Sequence, residues 1–165
     1  MTAPTQRNQL EINMVDIVHR VGIKAPASDV YAALSRIDGL AGWWSQAATG
    51  DSKVGGTIAF RFHTEAGEEI GGFDMDVLEL TPEQKVRWRV KGGPAEWVGT
   101  DIEFSLSRQD DYTIVMFGHR KWREEVEFMG HCSTKWATFL LSLRDLVETG
   151  QGKPAPHDLR ISNWH

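Results

Sequence analysis

The feature that most constrains this chain is a long apolar stripe near its end. Phe128, Met129, Cys132, Trp136, Phe139, Leu140, Leu143, Leu146 and Val147 recur at spacings of three and four. That period predicts one amphipathic helix over residues 126–149, closed by Gly150 as a left-handed C-terminal residue. The stripe is broad and rich in large side chains, so the helix must lie against an equally large apolar surface. The middle of the chain supplies one as strands, and a helix laid across a curved antiparallel sheet leaves space between the two. That space is where function is expected.

Upstream, Val15, Ile17, Val18, Val21 and Ile23 suggest a first strand, with His19 and Arg20 on or near its exposed face. Pro26 and Ala27 stop it, and Ser28 is the expected N-cap of a short helix carrying Val30, Tyr31 and Leu34. A second short helix ends at Trp43 and Trp44, followed by a loop through Asp51. Five strands follow. Ile58, Phe60 and Phe62 alternate with Thr57, Arg61 and His63; residues 70–80 form a longer strand with a bulge at Gly71 and Gly72. Val86, Trp88 and Val90 alternate with Arg87 and Arg89. Val98, Thr100, Ile102, Phe104 and Leu106 share one face, and residues 112–120 complete the set. Strands segregated from one packing helix indicate an α+β fold with an antiparallel sheet. Residues 1–13 read as a flexible arm, 14–154 as one domain and 155–165 as a tail.

Composition narrows the classes. The 165 residues carry a formal charge of −5, which argues against a nucleic-acid surface. No apolar run is long enough to span a membrane, and the polar first residues lack a signal-peptide core. One cysteine, Cys132, excludes an internal disulfide and fits a reducing cytoplasm. Seven tryptophans suit a core or a ligand pocket equally well.

Five segments carry a resemblance: A-P-A-S-D-V-Y-A-A-L-S (25–35), G-L-A-G-W-W (39–44), K-V-G-G-T-I-A-F-R-F (53–62), L-E-L-T-P-E-Q-K-V-R-W (78–88) and L-L-S-L-R-D-L-V-E-T-G-Q-G-K-P (140–154). In that order they resemble the START-like (SRPBCC) superfamily, in the branch related to the Hsp90 ATPase activator domain. The resemblance implies a helix-grip fold, in which a curved antiparallel sheet wraps a long C-terminal helix around a central cavity. It says less about activity, because relatives include lipid and hormone carriers, polyketide cyclases and chaperone co-activators.

Phe60, Phe62, Phe73, Met75, Trp88 and Phe104 are then expected to face the helix, with Met129, Trp136 and Phe139 answering from it. These side chains make either a filled core or a pocket wall, and the cavity implied by the resemblance favours the wall. Such a pocket suits a flat, mostly apolar molecule. Trp44 is expected in the wall and Trp43 in the core. His119 shares the parity of Val115 and Phe117 and is expected to turn inward, while His131 sits beside Cys132 at the edge of the stripe. Either imidazole is a candidate ligand contact or acid/base group, against the commoner structural role.

The metal reading fails on spacing, with no second cysteine, no H-E-x-x-H and no C-x-x-C. No metal or cofactor is expected. Cys132 falls within the apolar stripe, where a thiol packs as a small hydrophobe and its pKa rises. His157 and His165 read as solvated. Arg61, Arg87, Arg89, Asp101 and Glu103 are expected as cross-strand pairs on the convex face or as a protein-docking surface. Trp122 reads as a lid, an interface anchor or plain packing. Three functions stay open: binding of a hydrophobic or aromatic small molecule, a polyketide cyclase/dehydratase-like reaction in the same cavity, and activation of an Hsp90-like chaperone ATPase. Homodimerisation through sheet edges or helix ends is left open as well.

Overall fold

A computed structural model describes residues 14–165; the arm expected over residues 1–13 lies outside them. The elements run β1 (Val15–Ile23), α1 (Ala27–Ser35), α2 (Ile37–Trp43), β2 (Ala47–Gly50), β3 (Thr57–His63), β4 (Glu69–Thr81), β5 (Lys85–Gly92), β6 (Asp101–Gln109), β7 (Tyr112–Trp122) and α3 (Glu127–Thr149). All seven strands form one antiparallel sheet in the order β1-β7-β6-β5-β4-β3-β2. Only β1 is carried across to pair out of sequence. The sheet curves around α3, which is the helix-grip arrangement.

Period-two alternation explains which side chains meet the helix. Val86 pairs with Phe104, and Phe104 with Phe117, so three strands send one apolar row to the same face. Extra residues interrupt β4 and β5: Ile70 between the partners of Phe62 and His63, Lys91 beside Met75, and Leu78 between Val77 and Glu79. Each bulge bends its strand and adds twist, which curls the sheet around α3. The first lies one residue before the expected glycine pair.

Helix α3 starts after Val126 and ends at Gly150, whose φ of 84° is the left-handed conformation that glycine adopts without strain. Cys132, Trp136, Phe139, Leu140 and Leu143 are buried along it. So are Lys135 and Ser142, which apolar periodicity does not explain. Ser142 Oγ donates to the Trp43 carbonyl at 2.9 Å and accepts Lys153 N–H at 2.7 Å, so it stitches α2, α3 and the chain beyond α3 together.

Several expectations change. Ser28 is not the cap: α1 begins at Ala27 with Pro26 in the N-cap position and no side-chain cap. The fixed φ of proline ends the extended segment two residues earlier, and its carbonyl accepts the Asp29 and Val30 amides. The loop after Trp44 contains β2, whose sequence Ala-Ala-Thr-Gly has no alternation to betray it. His19 shares the inward parity of Ile17, and its Nε2 lies 3.1 Å from the Ser133 carbonyl of α3, while Val18 is exposed. Val98 and Thr100 precede β6 in a turn, and β7 runs on to Trp122. Trp122 is buried, so it is neither a lid nor an exposed anchor. His157 is exposed as expected, whereas His165 is half-buried and the start of the tail is docked. Ala155 N–H donates to the Trp44 carbonyl at 2.8 Å and Gln46 N–H to the Ala155 carbonyl at 3.1 Å, forming a parallel bridge beside Ser45.

On the convex face, Arg89 and Lys121 each reach Asp101 at 2.9 Å, Arg61 reaches Asp74 at 3.0 Å, and Glu103 is shared by Lys85 at 3.6 Å and Arg120. Burial pushes the Asp101 carboxyl up, but hydrogen bonds from Arg89 and Lys121 outweigh it and hold the group below its ordinary range.

Helices α1 and α2 approach so closely that a Cβ on Gly39 would lie 2.7 Å from Ala33 Cα and 2.8 Å from its carbonyl oxygen. A Cβ on Gly130 in α3 would meet nothing within 4 Å. Substitution by alanine therefore has opposite signs at the two sites. Gly39→Ala should cost about 1–3 kcal/mol through forced separation of the helices, whereas Gly130→Ala should gain up to about 1 kcal/mol from helix propensity. Urea unfolding of the two variants beside the wild type measures both.

Candidate functional site

A cavity of about 460 Å³ opens between the N-terminal half of α3 and the β3–β4 end of the sheet. Five parts of the chain surround it. The β3–β4 hairpin supplies Phe62, Ile70, Gly71, Gly72 and Phe73; the β5–β6 connection supplies Pro94 and Trp97. Helix α3 contributes Phe128, His131, Cys132, Lys135, Trp136 and Phe139, Trp44 joins from the end of α2, and the tail adds Asp158, Trp164 and His165.

Stacked rings shape the wall. Trp97 lies parallel to Phe73, with centroids 3.9 Å apart and planes 6° apart, and stacks at 5.9 Å on Trp136. Trp44 packs on Trp136 at 4.8 Å and on Phe60 at 4.3 Å. Such contacts hold the rings at fixed angles beyond what area burial alone supplies. The Trp97 indole N–H donates to Cys132 Sγ at 3.3 Å. Burial pushes the Cys132 thiol up to about 12, so it stays protonated at neutral pH and is no nucleophile.

The structure divides the expected wall residues into two sets. Trp44, Phe62, Phe73 and Trp136 line the cavity. Phe60, Met75, Trp88 and Phe104 do not: they are buried behind it, with Trp88 stacked at 6.0 Å on Trp44 and Phe104 edge-on to Trp43 and Trp88. The indoles of Trp43, Trp44 and Trp88 fill the middle of the helix–sheet space, so the strands' inward rings there become core. Met129 is partly buried against the core and also lies outside the lining. Trp43 is buried and donates its indole N–H to the Ala33 carbonyl at 2.9 Å.

His119 turns inward but does not reach the cavity. It is fully buried beneath Trp97 and Trp136, edge-on to Trp97 at 4.5 Å. Trp136 Nε1–H donates to its Nδ1 at 3.1 Å, and its Nε2 lies 2.8 Å from Thr100 Oγ1. An indole nitrogen can only donate, so Nδ1 carries the lone pair and Nε2 the proton. Thr100 in turn donates to the Trp97 carbonyl at 2.6 Å. Burial lowers the His119 pKa to about 3, with the Asp101 charge opposing the shift. A closed, neutral and fully bonded imidazole is structural, which corrects its candidacy as ligand contact or acid/base group. His131 does line the cavity, stacked on Phe128 and 5.3 Å from Trp164. Partial burial, then the charges of Lys135 and His165, hold it below its ordinary value.

The polar end was not anticipated. Lys135 Nζ lies 2.6 Å from Asp158 Oδ2 and 2.7 Å from the Leu159 carbonyl, and His165 Nδ1 is 3.7 Å from the same carboxylate. Side-chain exposure is 10% for Lys135 and 2% for Asp158, so the pair is enclosed. Lysine within an apolar helical stripe was the available signal, since it demands a partner when buried. Trp97 lies in a turn that has no period, three residues after Gly92-Gly93-Pro94. Among the described residues, no group of three or more His, Cys, Asp or Glu is gathered to hold a metal ion. No helix among them is long and apolar enough to cross a membrane.

The sequence pattern of a family described as Activator of Hsp90 ATPase homolog 1-like protein matches residues 24–148. Among solved structures, the Aha1 dimer from Colwellia psychrerythraea is similar at 43% identity and a TM-score of 0.72, over 84% of this chain and 99% of that one. Protein SSP2350 from Staphylococcus saprophyticus shares the fold at 17% identity and a TM-score of 0.68, over 86% of this chain and 98% of that one. CalU16 from Micromonospora echinospora does so at 18% identity and 0.64, over 86% and 69%. No curated protein matches the chain.

The buried imidazole has a pH signature. Unfolded, His119 protonates near 6.5; folded, it does so only near 3. Its contribution is fully present above the unfolded value and is lost as pH falls through this interval, at up to about 1.4 kcal/mol per pH unit. His119→Gln removes that proton uptake. Between pH 7 and pH 4.5 the wild type should lose about 2–3 kcal/mol more unfolding free energy than the variant; parallel pH curves would show that the histidine is not held neutral.

Proposed function

The chain belongs to the family of Activator of Hsp90 ATPase homolog 1-like proteins, and from that footing we propose that its cavity binds a flat, largely apolar small molecule without covalent chemistry. The observation that carries this reading is a half-open cavity of about 460 Å³ walled by Trp44, Phe73, Trp97 and Trp136. Sites for small molecules have this size and this mixture of aromatic walls with a few polar groups. Burying roughly 200 Å² of apolar ligand surface would supply about 5 kcal/mol before the costs of ordering, at 25 cal/mol per Å². A polyketide cyclase-like reaction would have to use His131 with the Lys135–Asp158 pair, because His119 is closed off.

A second reading uses another surface. Likeness to an Aha1 at 43% identity, together with the ladder of alternating charges on the convex face, supports docking to a chaperone ATPase. It predicts that the purified protein raises the turnover of an Hsp90-type ATPase and that Arg61→Glu with Arg89→Glu reduces the effect. No stimulation at saturating protein would exclude it. The relative from Colwellia psychrerythraea is described as a dimer, and the edge strands β1 and β2 are the places where two copies of this chain would meet.

The binding reading is tested by tryptophan fluorescence and thermal unfolding against planar aromatic compounds. Saturable quenching should accompany stabilisation of about 2.7 kcal/mol at one hundred times the dissociation constant. Phe128→Ala, at the cavity wall, should weaken binding severalfold. Phe104→Leu, behind the wall, should lower the melting temperature and leave affinity within about twofold. A folded protein that responds to no compound would remove the proposal.

A further inference from the structure

Resting on the reading that two copies of this chain meet at a sheet edge, we infer that the edge is β1. It pairs antiparallel with β1 of a second copy, Val18 lies on the two-fold axis, and Asp16 faces Arg20 of the other copy. Strand β1 ends the sheet order, and among the described residues only β7 pairs with it. It runs nine residues without proline or lysine, two of the devices that blunt an exposed edge. The opposite edge is a poorer template: β2 has four residues, and the tail bridges to Ser45 just before it.

Side-chain parity and charge select one register. Asp16, Val18 and Arg20 alternate with Ile17 and His19, so the first three share the convex face, where Val18 is 50% exposed. Residues directly opposite in an antiparallel pair point to the same face. A slip by one residue would set the convex face of one copy against the concave face of the other, so only registers that oppose like parity join the two sheets. Among those, centring on Asp16 or Arg20 opposes like charges. Centring on Ile17 sets Arg20 against Met14, and centring on His19 sets Asp16 against Gly22. Only centring on Val18 sets Asp16 against Arg20, and the two-fold axis makes that pair twice.

Both partners are available for it. Arg20 is engaged by a neutral amide, donating from Nη2 to Gln109 Oε1 at 3.3 Å. Asp16 accepts from Arg120 Nη1 at 3.1 Å and from the Lys121 N–H at 3.0 Å, and its side chain is still 40% exposed. A carboxylate has about four acceptor sites, so two donors leave room for a third. Strand β1 stays extended here because the extra residue of the local bulge lies in β7, where Lys121 takes a φ of 73°. Exposed ion pairs add little affinity, so these two set the register. The backbone ladder and Val18 against its own copy hold the strands together.

The test is analytical ultracentrifugation of the full chain across a wide range of concentration. The wild type should dimerise reversibly. Val18→Lys, which brings two ammonium groups together on the axis, should raise the dissociation constant about tenfold or more. Asp16→Arg and Arg20→Asp should each raise it severalfold. An equimolar mixture of these two variants should recover the wild-type affinity as a heterodimer, because every opposed pair is then again of opposite sign. Thermal melting followed by circular dichroism separates loss of association from loss of fold, and Arg20→Asp, which gives up the bond to Gln109, is the mildest of the three. A dimer that Val18→Lys leaves intact would overturn the assignment to β1 and leave the edge reading to β2. Weakened single variants that do not recover on mixing would overturn the register. A chain that stays monomeric at every concentration would overturn this inference together with the reading it rests on.

Discussion

Trp136 reaches down from α3 and donates its indole hydrogen to His119 on β7, and the seating of the helix over the sheet depends on that bond. Apolar packing alone allows a helix to slide or rotate by a few degrees across a sheet with little loss of area. A buried hydrogen bond does not, because a small shift leaves two polar atoms unpaired in a medium without water. His119 passes the constraint on through Thr100 to the backbone of Trp97. One chain of bonds thus joins the helix, strand β7 and the connection that forms one cavity wall. The imidazole lies in the interior as a neutral coupling piece, and its low basicity is a condition of that task.

The helix serves two neighbours along its length. Toward its C-terminus, Leu140 and Leu143 are fully buried, in one core with Leu34, Leu40 and Trp43 of the two short helices. Toward its N-terminus no such helices intervene; the β3–β4 hairpin, the Trp97 connection and the tail surround the cavity there, and His19 of β1 reaches Ser133. The cavity exists because the short helices cover one end of the gripped helix and leave the other to loops. Rings that would be expected to line a central chamber therefore divide into a filled middle around Trp44 and Trp88 and an open end around Trp97.

Much of this was legible in the residues. The stripe from Phe128 to Val147 and the alternation in β3, β5 and β6 specify a helix against a sheet, because both periods report burial directly. What stayed hidden had no period. Strand β2 is four small residues held by pairing with β3, so its structure is tertiary in origin. His19, expected on or near the exposed face, turns inward because it shares the parity of Ile17, while apolar Val18 is exposed. Trp97 and Asp158 lie in irregular backbone, where position follows from a few long-range bonds. Buried Lys135 was the nearest legible sign, a charge set where the stripe admits none without a partner. The central side chains Phe60, Met75, Trp88 and Phe104 take the expected face, but periodicity cannot say whether a face meets a void or another side chain.

The strap-like course of the tail has a consequence for how such a protein diversifies. Its attachment near Trp44 uses backbone atoms, which any side chain can supply except where proline removes the N–H of Gln46 or Ala155. Replacements further along, other than at Asp158, whose loss would leave Lys135 of α3 buried without its partner, therefore alter what the cavity presents without disturbing the sheet or the bonds that seat the helix. Stability and selectivity are written in different parts of the chain, so drift in one is not paid by the other. Were the cavity to hold a guest as proposed, a lineage of such proteins could change its selectivity through the terminal residues, while the gripped helix and its seven strands remain unchanged.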